Sequence, residues 1–358
     1  MELHGGNIYK LAREKGIEKI LDYSANINPF GLPESLKKAV VENFHIFEKY
    51  PDPEYVELRE ILAKHNGMNY ENIIVGNGAT EIIFLYMKML NPKKALVVNP
   101  TFVEYERALM QTSCQVDHFR LEENENFVLD KEKLREELNK GYDLLVICNP
   151  NNPTGRFMTR AEMEEIATIA KESGTRLMVD EAFIEFVEGN YSESIAHLKD
   201  PNIFVVRALT KFFAIPGIRL GFAICHDSAI INRIQGEREP WTVNALAELT
   251  AKVVLDDREY IEKSENWVKK EKKWMYEELT KGNNIKAYKT ETNFILVKLT
   301  GNSNSKALRE KLIEDGILIR DCSNFPFLDE NYIRLAIKDH KSNQYVVERV
   351  VARTNENG

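Results

Sequence analysis

Between residues 70 and 225, short β-rich runs, several of them solidly apolar, alternate with stretches whose apolar positions recur at helical spacing. The runs 73–75, 95–98, 115–119, 144–148, 177–179, 203–206 and 221–224 predict strands. Stretch 159–173 predicts an amphipathic helix, with Ala161, Met163, Ile166, Ile169 and Ala170 on one face. Such alternation builds a mostly parallel sheet flanked by helices, and solidly apolar strands fit a sheet buried on both faces.

The texture changes near Pro240. A charged helical stretch is predicted over 243–279, then a strand at 292–299, a helix at 305–315, strands at 317–320 and 332–337, and a last helix from about 343. The expected architecture is α/β. An arm spans 1–30 with poor regular patterning, a large domain with a seven-stranded, mostly parallel sheet spans 31–240, and a smaller α+β domain spans 241–358.

Bulk properties narrow the function. The 358 residues are 43% hydrophobic and 29% charged, with a formal net charge of -8. That balance opposes a general nucleic-acid partner. No apolar run approaches membrane length. The four cysteines at 114, 148, 225 and 322 form no close pair, which fits a reducing cytoplasm and opposes a disulfide or zinc framework. The first residues lack the basic and apolar regions of a signal peptide.

Chemistry concentrates where predicted strands end. Lys211 follows the 203–206 run and sits among apolar residues; a partly buried lysine loses its proton easily and becomes a nucleophilic amine that can form a Schiff base. Arg219 offers a planar fork for a phosphate. Gly76-Asn-Gly78-Ala79-Thr80-Glu81 turns from a strand into a helix whose first N–H groups suit a phosphate. Asn149-Pro-Asn-Asn152-Pro-Thr-Gly155 follows the 144–148 run, where α/β folds place ligands. Asp180 closes the 177–179 run, and a carboxylate buried there needs a cationic partner.

Taken together and in this order, the five motifs resemble the fold-type-I pyridoxal-phosphate enzymes of the aspartate aminotransferase superfamily. The resemblance covers nearly the whole chain. It implies pyridoxal 5'-phosphate as cofactor, with Lys211 as the Schiff-base lysine and Asp180 paired with the ring nitrogen. It also puts Asn152 on the phenolic oxygen and Phe102 stacked on the ring. Gly78, Ala79, Thr80, Thr210 and Arg219 become the phosphate cup, and Arg334 the fork for a substrate carboxylate. Tyr50, in Tyr50-Pro-Asp-Pro, is similar to a tyrosine that reaches the neighbouring subunit's cofactor, which implies a homodimer with shared active sites.

Within the superfamily two groups fit. Histidinol-phosphate aminotransferases share Tyr50-Pro-Asp-Pro and the run around Lys211. Threonine-phosphate decarboxylases of cobalamin biosynthesis share those and also His4-Gly-Gly-Asn7, Asp22-Tyr-Ser-Ala-Asn26-Ile-Asn-Pro29 and Ile319-Arg320-Asp-Cys-Ser-Asn-Phe325. Aminotransferases of this group usually carry tyrosine where this chain has Phe183. The leading expectation is α-decarboxylation of a phosphorylated amino acid, O-phospho-L-threonine above all, with its phosphate held by His4, Asn26 and Arg320. Asn152 and Arg334 complete the expected substrate contacts. The alternative is a histidinol-phosphate-type transaminase. A non-catalytic module of the same fold is a third reading, opposed by the acidic charge and the complete set of catalytic positions.

Overall fold

The computed structural model describes residues 5–17 and 19–356. Strand β1 (Leu21–Asp22) lies in the arm. Strands β2 (Ile73–Asn77), β3 (Lys94–Asn99), β4 (Gln115–Arg120), β5 (Leu144–Cys148), β6 (Arg176–Asp180), β7 (Ile203–Ala208) and β8 (Leu220–Cys225) form one sheet. Its order is β2-β8-β7-β6-β5-β3-β4, parallel throughout except that β8 runs antiparallel to both β2 and β7. Every residue of β5, β7 and β8 is buried, the condition their unbroken apolar runs imply.

The C-terminal part contributes β9 (Ile285–Ala287), β10 (Phe294–Leu299), β11 (Ile317–Leu318), β12 (Arg320–Asp321) and β13 (Tyr332–Ala336). Four of these make an antiparallel sheet in the order β12-β13-β10-β9. The run expected as one strand at 317–320 is split. Its first half, β11, pairs in parallel with arm strand β1, whereas β12 pairs with β13. Ile319 stays buried between the halves, so the apolar pattern runs on while the hydrogen-bonding partner changes.

Other expectations also shift. The arm contains a helix, Ile8–Lys15, capped by the Asn7 side chain and ended by Gly16 in the left-handed conformation. The long helical stretch is two helices, Ala245–Val254 and Arg258–Leu279, divided where Asp257 caps the second through the Tyr260 N–H. The last helix begins at His340. Among the described residues, no helix is long and apolar enough to cross a membrane.

Candidate active site

The site gathers at the carboxyl ends of the parallel strands, where the chain turns outward and side chains converge from several elements. A cavity there is lined by Phe102, Asn152, Asp180, Phe183, Thr210, Lys211, Arg219 and the start of helix Ala79–Leu90.

Asp180 ends β6 and is 4% exposed. One carboxylate oxygen accepts from the Tyr105 hydroxyl at 2.7 Å and the other from the Ala182 N–H at 2.8 Å. Burial raises its pKa, while the Tyr105 hydrogen bond and the nearby Lys211 charge pull it back. Lys211 lies beyond β7. Burial lowers its pKa against the raising effect of Asp180 and Glu185, and its Nζ stands 4.9 Å from the centre of the Phe183 ring. Phe183 is buried and packs edge-on against Phe294, so on that side the amine meets a π face rather than a hydroxyl.

The glycine turn shapes the opposite wall. Gly78 has φ +81°, and a Cβ there would meet Arg219 Nη2 at 2.3 Å. Gly221, opposite Gly76 on β8, lets the helix start close in, since a Cβ there would lie 2.2 Å from the Ala79 nitrogen. Gly78 provides no side-chain cap, leaving the helix N-terminus to face the cavity with Arg219 beside it. An anion fits this cradle. The donor set therefore fits pyridoxal phosphate: an amine, a buried carboxylate, the Phe102 ring, an amide side chain and a cationic helix terminus share one cavity.

Arg334, on β13, enters from the smaller sheet. It donates through Nη1 to Asn152 Oδ1 and through Nη2 to the Ser24 carbonyl at 2.9 Å, and its Nε is buried without a partner. Burial, with repulsion from Arg320, pushes its guanidinium down to about 10. Arg320 lies directly opposite Arg334 in the β12–β13 register and is also 5% exposed. It donates to Asn324 Oδ1 at 2.7 Å and opens onto a neighbouring cavity lined by Ser24 and Ser323.

Asn26 is 7% exposed with an unpartnered Oδ1. Tyr50 stands apart from this cluster, 82% exposed with its ring 5.0 Å from that of Trp241. His4 lies outside the described residues. Tyr105 escaped the sequence reading; its signal was its position three residues after Phe102, which in a helical turn puts both rings on one side, 5.6 Å apart.

Comparison with known proteins now decides the family. The model of aminotransferase class I and II matches residues 18–350. The chain belongs to this family. Its fold is that of the fold-type-I pyridoxal-phosphate transferases, and the family's dependence on that cofactor agrees with the donor set. The chain is 39% identical to the threonine-phosphate decarboxylase of Salmonella typhimurium, over 95% of this chain and 93% of that protein. A solved histidinol-phosphate aminotransferase from Clostridium acetobutylicum is 35% identical, with TM-score 0.88 over 94% of this chain and all of the other. A solved L-threonine-O-3-phosphate decarboxylase from Porphyromonas gingivalis is 25% identical, with TM-score 0.82 and the same coverage.

Proposed function

We propose that this family member binds pyridoxal phosphate and removes the α-carboxylate of O-phospho-L-threonine. The observation that carries the reading is the Arg320–Arg334 pair, two buried guanidiniums directly opposite each other on adjacent strands. Residues so paired share a face, and like charges there repel. A substrate with two anionic groups relieves that repulsion at both ends at once. Phosphothreonine has a carboxylate and a phosphate; histidinol phosphate has a phosphate alone, although the glutamate a transaminase also binds has two carboxylates. The decarboxylase relative and the absence of a hydroxyl at Phe183 support the same choice.

Lys211 would anchor the cofactor; Ala79, Thr80, Thr210 and Arg219 would hold its phosphate, Phe102 would cover one ring face and Asn152 would meet the phenolic oxygen. When bound, the cofactor supplies an electron sink for a carbanion at the substrate α-carbon. Asp180 would hold a proton at the ring nitrogen by opposite-charge pairing in a buried site. Arg334 would fork the carboxylate and Arg320, with Asn26, the phosphate. Lys211, whose burial makes its ammonium form a readier proton donor, would take up the proton that the substrate's ammonium gives up on binding and deliver it to the α-carbon once carbon dioxide has left. The exposure of Tyr50 supports a homodimer in which this residue completes the partner's site.

The test offers threonine phosphate, serine phosphate and histidinol phosphate, each with 2-oxoglutarate. Carbon dioxide from threonine phosphate without glutamate is expected. Rapid glutamate formation from histidinol phosphate would establish the transaminase reading instead.

A further inference from the structure

The arm segment that carries Asn26 is held along its carbonyl edge by an unusual set of donors. The Tyr23 carbonyl accepts from the Ala336 N–H at 2.9 Å, that of Ser24 from Arg334 at 2.9 Å and that of Asn26 from Asn293 Nδ2 at 3.0 Å. The remaining two, Ala25 and Ile27, both accept from Lys338 Nζ, at 3.3 and 3.2 Å. Asp22 Oδ1 holds the amide edge through Ser24 N, Ser24 Oγ and Ala25 N. One residue further on, the Asn28 N–H donates to the Lys211 carbonyl at 3.1 Å.

Lys338 thus brackets Asn26. Lys338 is half-buried, and an ammonium that gives up hydration is costly unless hydrogen-bonded, so an apolar or shorter residue would serve a purely packing role at less expense. The two carbonyls that satisfy it flank the one side chain of the segment whose oxygen is buried and unpartnered. Neither Lys338 nor Asn293 stood out in the sequence, because their partners are main-chain oxygens.

We propose that Lys338 is a positioning residue that fixes the arm segment 25–27 so that the Asn26 amide meets the substrate, and that it sets substrate affinity through Asn26. This rests on the substrate role proposed for Asn26. The clamp would raise affinity by holding the amide ready before substrate arrives, and it leaves the cofactor cup untouched.

The experiment compares Lys338→Met, Lys338→Arg, Asn26→Ala and the double variant Asn26→Ala/Lys338→Met with O-phospho-L-threonine. Lys338→Met is expected to raise KM by about 10-fold, with kcat changed by less than about 3-fold, the scale of a displaced positioning contact. Cofactor affinity stays constant, Lys338→Arg recovers most of the loss, and amide exchange at Ala25 and Ile27 speeds up in both variants that carry Lys338→Met but not in Asn26→Ala. The double variant is expected to bind no worse than Asn26→Ala. Additive losses would overturn the inference, since Lys338 would then act independently of Asn26. A raised KM in Asn26→Ala with an unchanged KM in Lys338→Met would overturn the role of Lys338 only. An unchanged KM in Asn26→Ala would overturn the substrate role of Asn26 and the clamp with it.

Discussion

Replacing Gly78 by alanine separates two things the cofactor cradle requires: a backbone shape and a cation. Gly78 has φ +81° and ψ 162°, a region nearly closed to residues with a side chain, and forcing alanine into it costs on the order of 1–3 kcal/mol. The new methyl would also lie 2.3 Å from Arg219 Nη2 and 2.8 Å from its Cζ. That clash is cheap in the empty protein, because Arg219 is exposed and its one long bond, 3.4 Å to the Pro216 carbonyl, gives way easily. It is not cheap once phosphate arrives, because Arg219 must then stand where the methyl excludes it. Losing one charge-assisted hydrogen bond of about 1.5–3 kcal/mol weakens cofactor binding by roughly 10- to 150-fold. Titration of pyridoxal phosphate, followed by its absorbance on the protein, measures the second effect, and denaturant unfolding without cofactor measures the first. Combining Gly78→Ala with Arg219→Ala should weaken binding little beyond Arg219→Ala alone. A Gly78→Ala protein of lowered stability but unchanged cofactor affinity would refute the reasoning, because Arg219 would then have no part in holding phosphate.

Lys211→Ala is expected to abolish the near-visible absorbance of lysine-bound pyridoxal phosphate; a retained band that borohydride removes, leaving the cofactor covalently fixed to the protein, would place the anchor elsewhere. Arg334→Lys keeps the charge but loses the fork and the bond to Asn152, so kcat/KM should fall by about 10- to 100-fold with cofactor affinity little changed, as steady-state kinetics and cofactor titration would show. His65, half-buried beside Arg207 with its ring against Tyr191, is held down to about 4 chiefly by loss of hydration. The unfolded chain takes up this proton below about pH 6.5 while the folded protein refuses it, so its contribution is present above 6.5 and is lost as pH falls from there toward 4, by up to about 3 kcal/mol. Unfolding free energies between pH 4 and 7 should therefore fall less steeply in His65→Gln than in the parent, and identical slopes would rule out a half-buried neutral histidine.

What could be read from the chain and what could not divides by the kind of contact. Most strands of the large sheet were legible because burial on both faces leaves a continuous apolar signature, as in Leu144–Cys148, whereas the largely uncovered edge strand Gln115–Arg120 was legible only from its place in the strand–helix alternation. Lys211, Asp180, Asn152 and Arg219 were legible because turns at strand ends carry their own residue chemistry, and the structure gathers all four around one cavity. The division of 317–320 between two sheets was hidden, since Ile317, Leu318 and Ile319 are all buried whichever strand they pair with. The stop at Asp257 was hidden too, because an aspartate inside a charged helical stretch looks like one more surface charge until its side chain is seen to accept from Tyr260. Lys338 was missed because its partners are distant arm carbonyls to which local pattern is blind, whereas the spacing of Tyr105 from Phe102 was a local signal that still did not reveal its distant partner Asp180.

Those distant partners bear on the choice between losing carbon dioxide and losing a proton, since both reactions use the same lysine and carboxylate. The two differ in how the substrate carboxylate is held, and the orientation of Arg334 is set by two acceptors, Asn152 Oδ1 beside the cofactor site and the Ser24 carbonyl of the arm. The same arm ties its Asn28 N–H to the carbonyl of Lys211. A shift of the arm would therefore move the carboxylate fork relative to the amine, while Asp180 stays fixed by Tyr105 and Ala182. Phe183 lies outside this linkage, among Phe186, Phe294 and the Lys211 amine. Its ring faces the Lys211 amine at 4.9 Å, so in the proposed reading its missing hydroxyl would act on the amine rather than on the carboxylate fork. In the proposed reading, reaction choice would be shared between Phe183, beside the Lys211 amine, and the arm that helps aim Arg334. Exchanging the aromatic alone would leave the second control in place.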